Sequence, residues 1–100
     1  MATTTKVLAR TAAATSSTTL YTVPASTTTV ITNIVVTNTA SSAATFTLTL
    51  DGVALFTTVA IAANSSAFFD LKQVLATTKI IAGLASAITV NFHISGVEIA

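Results

Sequence analysis

The chain has no cysteine and no tryptophan, one proline, one histidine and three glycines. Only 7% of its 100 residues are charged, four Lys or Arg against three Asp or Glu. Each shortage closes something off. Without cysteine, neither disulfides nor thiolate metal sites can hold a fold together, and the redox compartment is left open. One histidine and three dispersed carboxylates match no metal-ligand spacing. Gly52, Gly83 and Gly96 are isolated, so no phosphate-cradling loop is available. Lys6, Arg10, Lys72 and Lys79 are scattered and the net charge is +1, so there is no basic stripe for nucleic acid. The residue types that do acid–base and nucleophilic chemistry are scarce. That argues against an enzyme, a cofactor or a small-molecule substrate.

Hydrophobic residues make up 52% of the chain, and threonine, alanine and serine fill most of the rest. Mean hydropathy is +0.84. An average soluble domain is about a quarter charged, so hydroxyls and methyls must cover the solvent-facing positions here. Charge keeps free proteins apart in solution. A chain with so little of it is expected to work fixed in an assembly. No membrane insertion is expected, because a spanning helix needs ~20 largely apolar residues. The best run, 80–88, is shorter and includes Gly83 and Ser86. Residues 1–10 are threonine-rich and lack the apolar centre of a secretory signal, so no signal is expected.

The dominant period is two. Thr45-Phe46-Thr47-Leu48-Thr49-Leu50 alternates, with Phe46, Leu48 and Leu50 on one face and three threonines on the other. The run 88–95 does the same, placing Ile88, Val90, Phe92 and Ile94 inward and His93 outward. Such alternation predicts half-buried antiparallel strands, and threonine suits their outer face. Asp51-Gly52 between two strand-like runs predicts a tight hairpin. Residues 28–38 read as a longer strand, with Val30, Ile34 and Val36 on one side and Ile31 and Val35 on the other. Apolar residues on both faces predict a central strand or one covered by a neighbouring subunit. A short strand at 19–23 ends at Pro24, and 67–69, 80–81 and 97–99 complete the set.

One segment departs from this period. Leu71, Val74 and Leu75 follow i, i+3, i+4 spacing, with Asp70 and Gln73 placed like a capping box, which predicts a short helical turn near 71–76. The fold class expected is all-β: an antiparallel β-sandwich, jelly-roll or immunoglobulin-like, of about seven or eight short strands. Two regions are expected, an extended N-terminal arm over 1–18 and the sandwich over 19–100. The arm has too little apolar bulk to order itself alone, although 6–10 could form a first strand. Its cations and large apolar groups, Lys6, Val7, Leu8 and Arg10, are the candidate partner-binding residues.

The remaining polar features have ordinary explanations. A catalytic His93 would need an orienting carboxylate, and an enzyme would have to join it to Asp70 or Glu98. The row Thr45, Thr47, Thr49 resembles one rank of an ice-binding face, but such faces need several ranks on a flat sheet. Asn64-Ser65-Ser66 matches a glycosylation sequon and reads better as a polar turn. Tyr21, Phe68 and Phe69 could serve a binding tip, and fit a core better.

The progression Leu20-Tyr21-Thr22-Val23-Pro24-Ala25, then 30–38, then Ser41-Ser42-Ala43-Ala44-Thr45, resembles a group of small tailed-phage virion proteins. The closing Ser95-Gly96-Val97-Glu98-Ile99 is similar to the end common in that group, whose members often carry glycine where this chain has Ser26. The resemblance spans residues 20–100 and carries no active-site residues. It implies a β-sandwich on a virion, either decorating the capsid or forming part of the tail. With the composition, the leading expectation is a decoration (cement) protein on the outer capsid surface, binding the major capsid protein and copies of itself as a homotrimer. The alternative it leaves open is a tail or fibre component used in assembly or host attachment.

Overall fold

The computed structural model describes residues 2–100. Eight strands follow one another: β1 (Thr3–Ala12), β2 (Thr18–Thr22), β3 (Thr28–Asn38), β4 (Ala44–Leu50), β5 (Val53–Ile61), β6 (Ser65–Leu75), β7 (Ile80–Ala85) and β8 (Val90–Ile99). They form two four-stranded sheets, ordered β1-β8-β3-β6 and β2-β7-β4-β5, with every pair antiparallel. Phe46 of β4 packs edge-on against Phe92 of β8, ring centroids 6.1 Å apart, so the two sheets share one core.

The alternating runs do what their period demands. Phe46, Leu48, Val90, Phe92 and Ile94 are fully buried, and the threonines between Phe46 and Leu50 take the other face. Ile88 is the exception. It precedes β8 and is 69% exposed. Asp51 and Gly52 both adopt left-handed φ, 53° and 75°, the pairing a two-residue type I′ hairpin requires. Leu50 faces Val53 across that turn. Ser26 takes φ of 55°, the conformation glycine would adopt more easily.

β3 is central, hydrogen-bonded to both β6 and β8. Its faces differ from the expectation in their first half. Thr32 is an extra residue against β8, and against β6 the extra residue lies on β6 at Leu71–Lys72, so Thr29 and Ile31 point inward together with Ile34, Val36 and Asn38. Val30 therefore lies on the outer face rather than with Ile34. Gly96 sits opposite Ile31, where a Cβ would collide with the Val30 carbonyl oxygen.

Two expectations are corrected. Residues 71–75 are strand, the end of β6, and among the described residues there is no helix. Leu71 and Leu75 are four apart, a spacing that suits a strand face as well as a helix face. Pairing with β3 decides between them. Residues 3–12 are not a free arm: β1 lies in the first sheet, paired with β8 from Thr3–Ile99 to Ala12–Asn91. The first strand considered at 6–10 is thus present, and a domain boundary at residue 18 cuts through the sandwich. Backbone hydrogen bonds join Ala2 and Ala100 in both directions, at 3.0 and 2.8 Å.

Candidate functional site

Two polar clusters pin the ends of β3. At one end the Asn38 amide, fully buried, donates to the Ser42 carbonyl at 2.8 Å and to those of Ala62 and Ile61 at 3.3 and 3.4 Å. Its oxygen accepts from the Ala40 N–H and the Thr89 hydroxyl. One side chain thereby ties together three loops. At the other end, the Tyr21 hydroxyl shares a 2.8 Å hydrogen bond with Thr29 and donates to the Glu98 carboxylate. Glu98 also pairs with Lys6 at 3.3 Å. Burial, reinforced by the Glu98 carboxylate, pushes the Tyr21 phenol up to about 12. The hydrogen bond from Tyr21, with help from Lys6, holds Glu98 below the usual carboxylate value. No buried side-chain polar atom among the described residues lacks a partner. Both clusters read as structural locks.

The outer face of the first sheet is different in kind. Register places Thr5, Val97, Val30 and Val74 in one row across all four strands, and Arg10, His93, Val35 and Phe68 in another. Phe68 is 75% exposed and Val74 67%. A shallow depression of about 510 Å³ lies between β1 and β8 beside Thr32, lined by Thr5, Lys6, Val7, Ser95, Gly96 and Val97. It is a mixed apolar and hydroxyl surface, fit for contact rather than for bond-breaking.

The four candidate partner-binding residues separate. Val7 and Arg10 are exposed on β1, with Val7 at 46%. Lys6 is exposed but engaged with Glu98. Leu8 occupies the β1 bulge between Val7 and Ala9 and is buried in the core. The sandwich uses it itself.

His93 faces outward beside Arg10 and Val35, whereas Glu98 reaches the buried Tyr21. No hydrogen bond or ion pair joins His93 to a carboxylate among the described residues, and no group of three His, Cys, Asp or Glu could hold a metal there. The threonine row is partly spent on local bonds: Thr47 Oγ1 accepts the Thr58 N–H at 3.0 Å, and Thr49 Oγ1 donates to the Ala82 carbonyl at 3.4 Å. Tyr21 is core, Phe69 is half-buried, and Phe68 stands in solvent. The sequence reading preferred the core for Phe68 and a helical turn for Val74, and both are exposed on β6. The signal was there, since Phe68, Asp70, Lys72 and Val74 share one parity on a strand. No family model and no curated protein matches the chain.

Proposed function

We propose that this protein is a decoration, or cement, protein of a phage virion, binding the outer shell and bridging coat subunits. We read the strand order, β1-β8-β3-β6 over β2-β7-β4-β5, as a jelly roll rather than an immunoglobulin-like sandwich, an architecture that viral capsid domains share with lectins and cupins. A fold alone does not assign a function. The observation that carries the reading is the surface: an outer sheet face on which valine, phenylalanine, threonine and serine stand among Arg10, His93 and Asp70. A shell contact of ~1,000 Å² in total is enough for stable attachment, and repetition around a capsid multiplies modest contacts.

Attachment through apolar and backbone groups is weakly screened by salt. Virions washed in about 1 M salt are expected to retain the protein, scored by gel densitometry. Loss at moderate salt overturns this mode of attachment. Quantitative mass spectrometry of purified virions decides the location. Hundreds of copies per particle support decoration, a handful supports the tail or fibre reading, and none at all overturns both.

A further inference from the structure

Five large apolar side chains stand well exposed among the described residues, and three of them, Val7, Phe68 and Val74, lie on the outer face of the first sheet. The strand edges, by contrast, are all protected. β1 is bulged at Leu8, β2 is short and bulged at Leu20, β5 shifts register twice, and β6 carries an extra residue at Leu71–Lys72. Irregularities of this kind discourage pairing with a strand of another chain. The open surface is a face, not an edge.

That face is also polarised. The ion pairs Lys6–Glu98 and Lys79–Asp51 leave Arg10, Asp70 and Lys72 without an ionic partner among the described residues. Arg10 points outward at the β1 margin, in one row with His93, Val35 and Phe68. Asp70 points outward at the β6 margin one row along, with Asn33 and Ser95 between it and Val7. Lys72 falls in the β6 bulge and has no register partner. A cation at one margin and an anion at the other, with valine and small polar groups between, is a pattern that a second copy complements when it is turned over.

We infer that the outer face of the first sheet packs against the same face of a second copy, about a two-fold axis in the interface that runs along the strands between β8 and β3. Such an axis sets β1 over β6 and β8 over β3 and keeps the rows level. Arg10 then lies over Phe68 of the second copy, beside its Asp70. Its guanidinium stacks on the ring and pairs with the carboxylate, and symmetry repeats the contact at the other margin. Val97 meets Val30, Ser95 meets Asn33, and Val74 falls beside Thr5, against the depression between β1 and β8. The other in-plane two-fold, across the strands, sets β1 over β1 and β6 over β6. β1 has no acidic residue, so Arg10 gains no counter-charge in that arrangement.

The face is large enough. Four strands about ten residues long, at a spacing of ~4.8 Å and a rise of ~3.3 Å per residue, cover roughly 600 Å² in each copy. The pair buries about 1,200 Å², where stable interfaces begin. Sheets pressed together in this way keep their strand directions within about 30° of each other, which this axis allows. The pairing goes beyond the virion reading and is measured without a virion. Where that reading holds as well, shell contact through this face displaces the second copy.

The test is a charge exchange on the full chain, read by sedimentation equilibrium of the purified protein. The parent is expected at twice its 10.1 kDa chain mass. R10E brings two carboxylates together at each margin and D70R brings two guanidinium groups together. Each is expected to weaken self-association on the order of tenfold. The double variant R10E/D70R restores opposite charges and is expected to return to within about threefold of the parent. F68S removes the ring beneath Arg10, leaves every charge in place, and is expected to weaken the dimer too. All three positions are exposed in the single chain, and circular dichroism checks that each variant is folded. A parent that stays monomeric or sediments as a trimer overturns the inference. So do single variants that dimerise like the parent, or a double variant no better than R10E and D70R alone, the result that an axis across the strands would give.

Discussion

Tyr21 is the only tyrosine in the chain, and its hydroxyl holds β2, β3 and β8 together through Thr29 and Glu98. Replacing it with phenylalanine keeps the ring and leaves the buried Thr29 hydroxyl without that partner. The expected cost is about 1–3 kcal/mol, measured by urea denaturation. The same cluster sets the pH limits of the fold. Glu98 gives up its proton more readily folded than unfolded, so its contribution is complete above the ordinary value of 4.5 and is lost as pH falls through the lower folded value. Tyr21 works in the opposite direction. The native state keeps its proton between 10.0 and about 12, so stability is full below 10.0 and declines as pH rises through that interval. Thermal melts of the parent should fall on both flanks. In Y21F the tyrosine part of the alkaline fall is absent, and the acid fall is shallower because Glu98 has lost its main partner. Neither contact was legible in the sequence: Tyr21 and Glu98 are 77 positions apart, and no local pattern links residues across that distance.

The strands themselves were largely legible, because alternation and turn chemistry are local. Phe46, Leu48 and Leu50 announce β4, and Asp51-Gly52 fixes the hairpin that follows. Pairing was not legible. Thr32 is a bulge only against its neighbour β8, and that reverses the face assigned to Val30. The threonine-rich start looked too poor in apolar groups to order itself, and taken alone it is. β8 supplies the missing surface, and Leu8 and Ala9 enter the core. Deleting residues 2–12 should therefore remove an edge strand rather than an appendage. Loss of the buried Leu8 side chain alone is worth about 2–5 kcal/mol. The denaturation midpoint is expected to drop sharply, with exposed β8 promoting aggregation, whereas loss of a dangling arm would leave the midpoint where it was. Of the four candidate contact residues, only Val7 and Arg10 remain free to meet a partner on the outer face, which moves the candidate surface from an arm to a sheet.

At the scale of the whole molecule, the shortage of charge acquires a location. Two ion pairs sit near the ends of the sandwich, Lys6–Glu98 and Lys79–Asp51. Surface pairs of this sort add little to stability. The middle of the sandwich is held by packing, with Phe46 touching Phe56, Phe69 and Phe92. The order of the strands carries a consequence in time. In the first sheet β8 lies between β1 and β3, so the earliest strand waits for the latest before it has any partner at all. During synthesis the sheet cannot close until all eight strands have left the ribosome, and until then β1 and β3 offer open backbone to other chains. Distant pairings of this sort also make folding slow, on the order of milliseconds to seconds. A nascent chain stalled before residue 90 should remain protease-sensitive in pulse experiments, and emergence of β8 should convert it in one step.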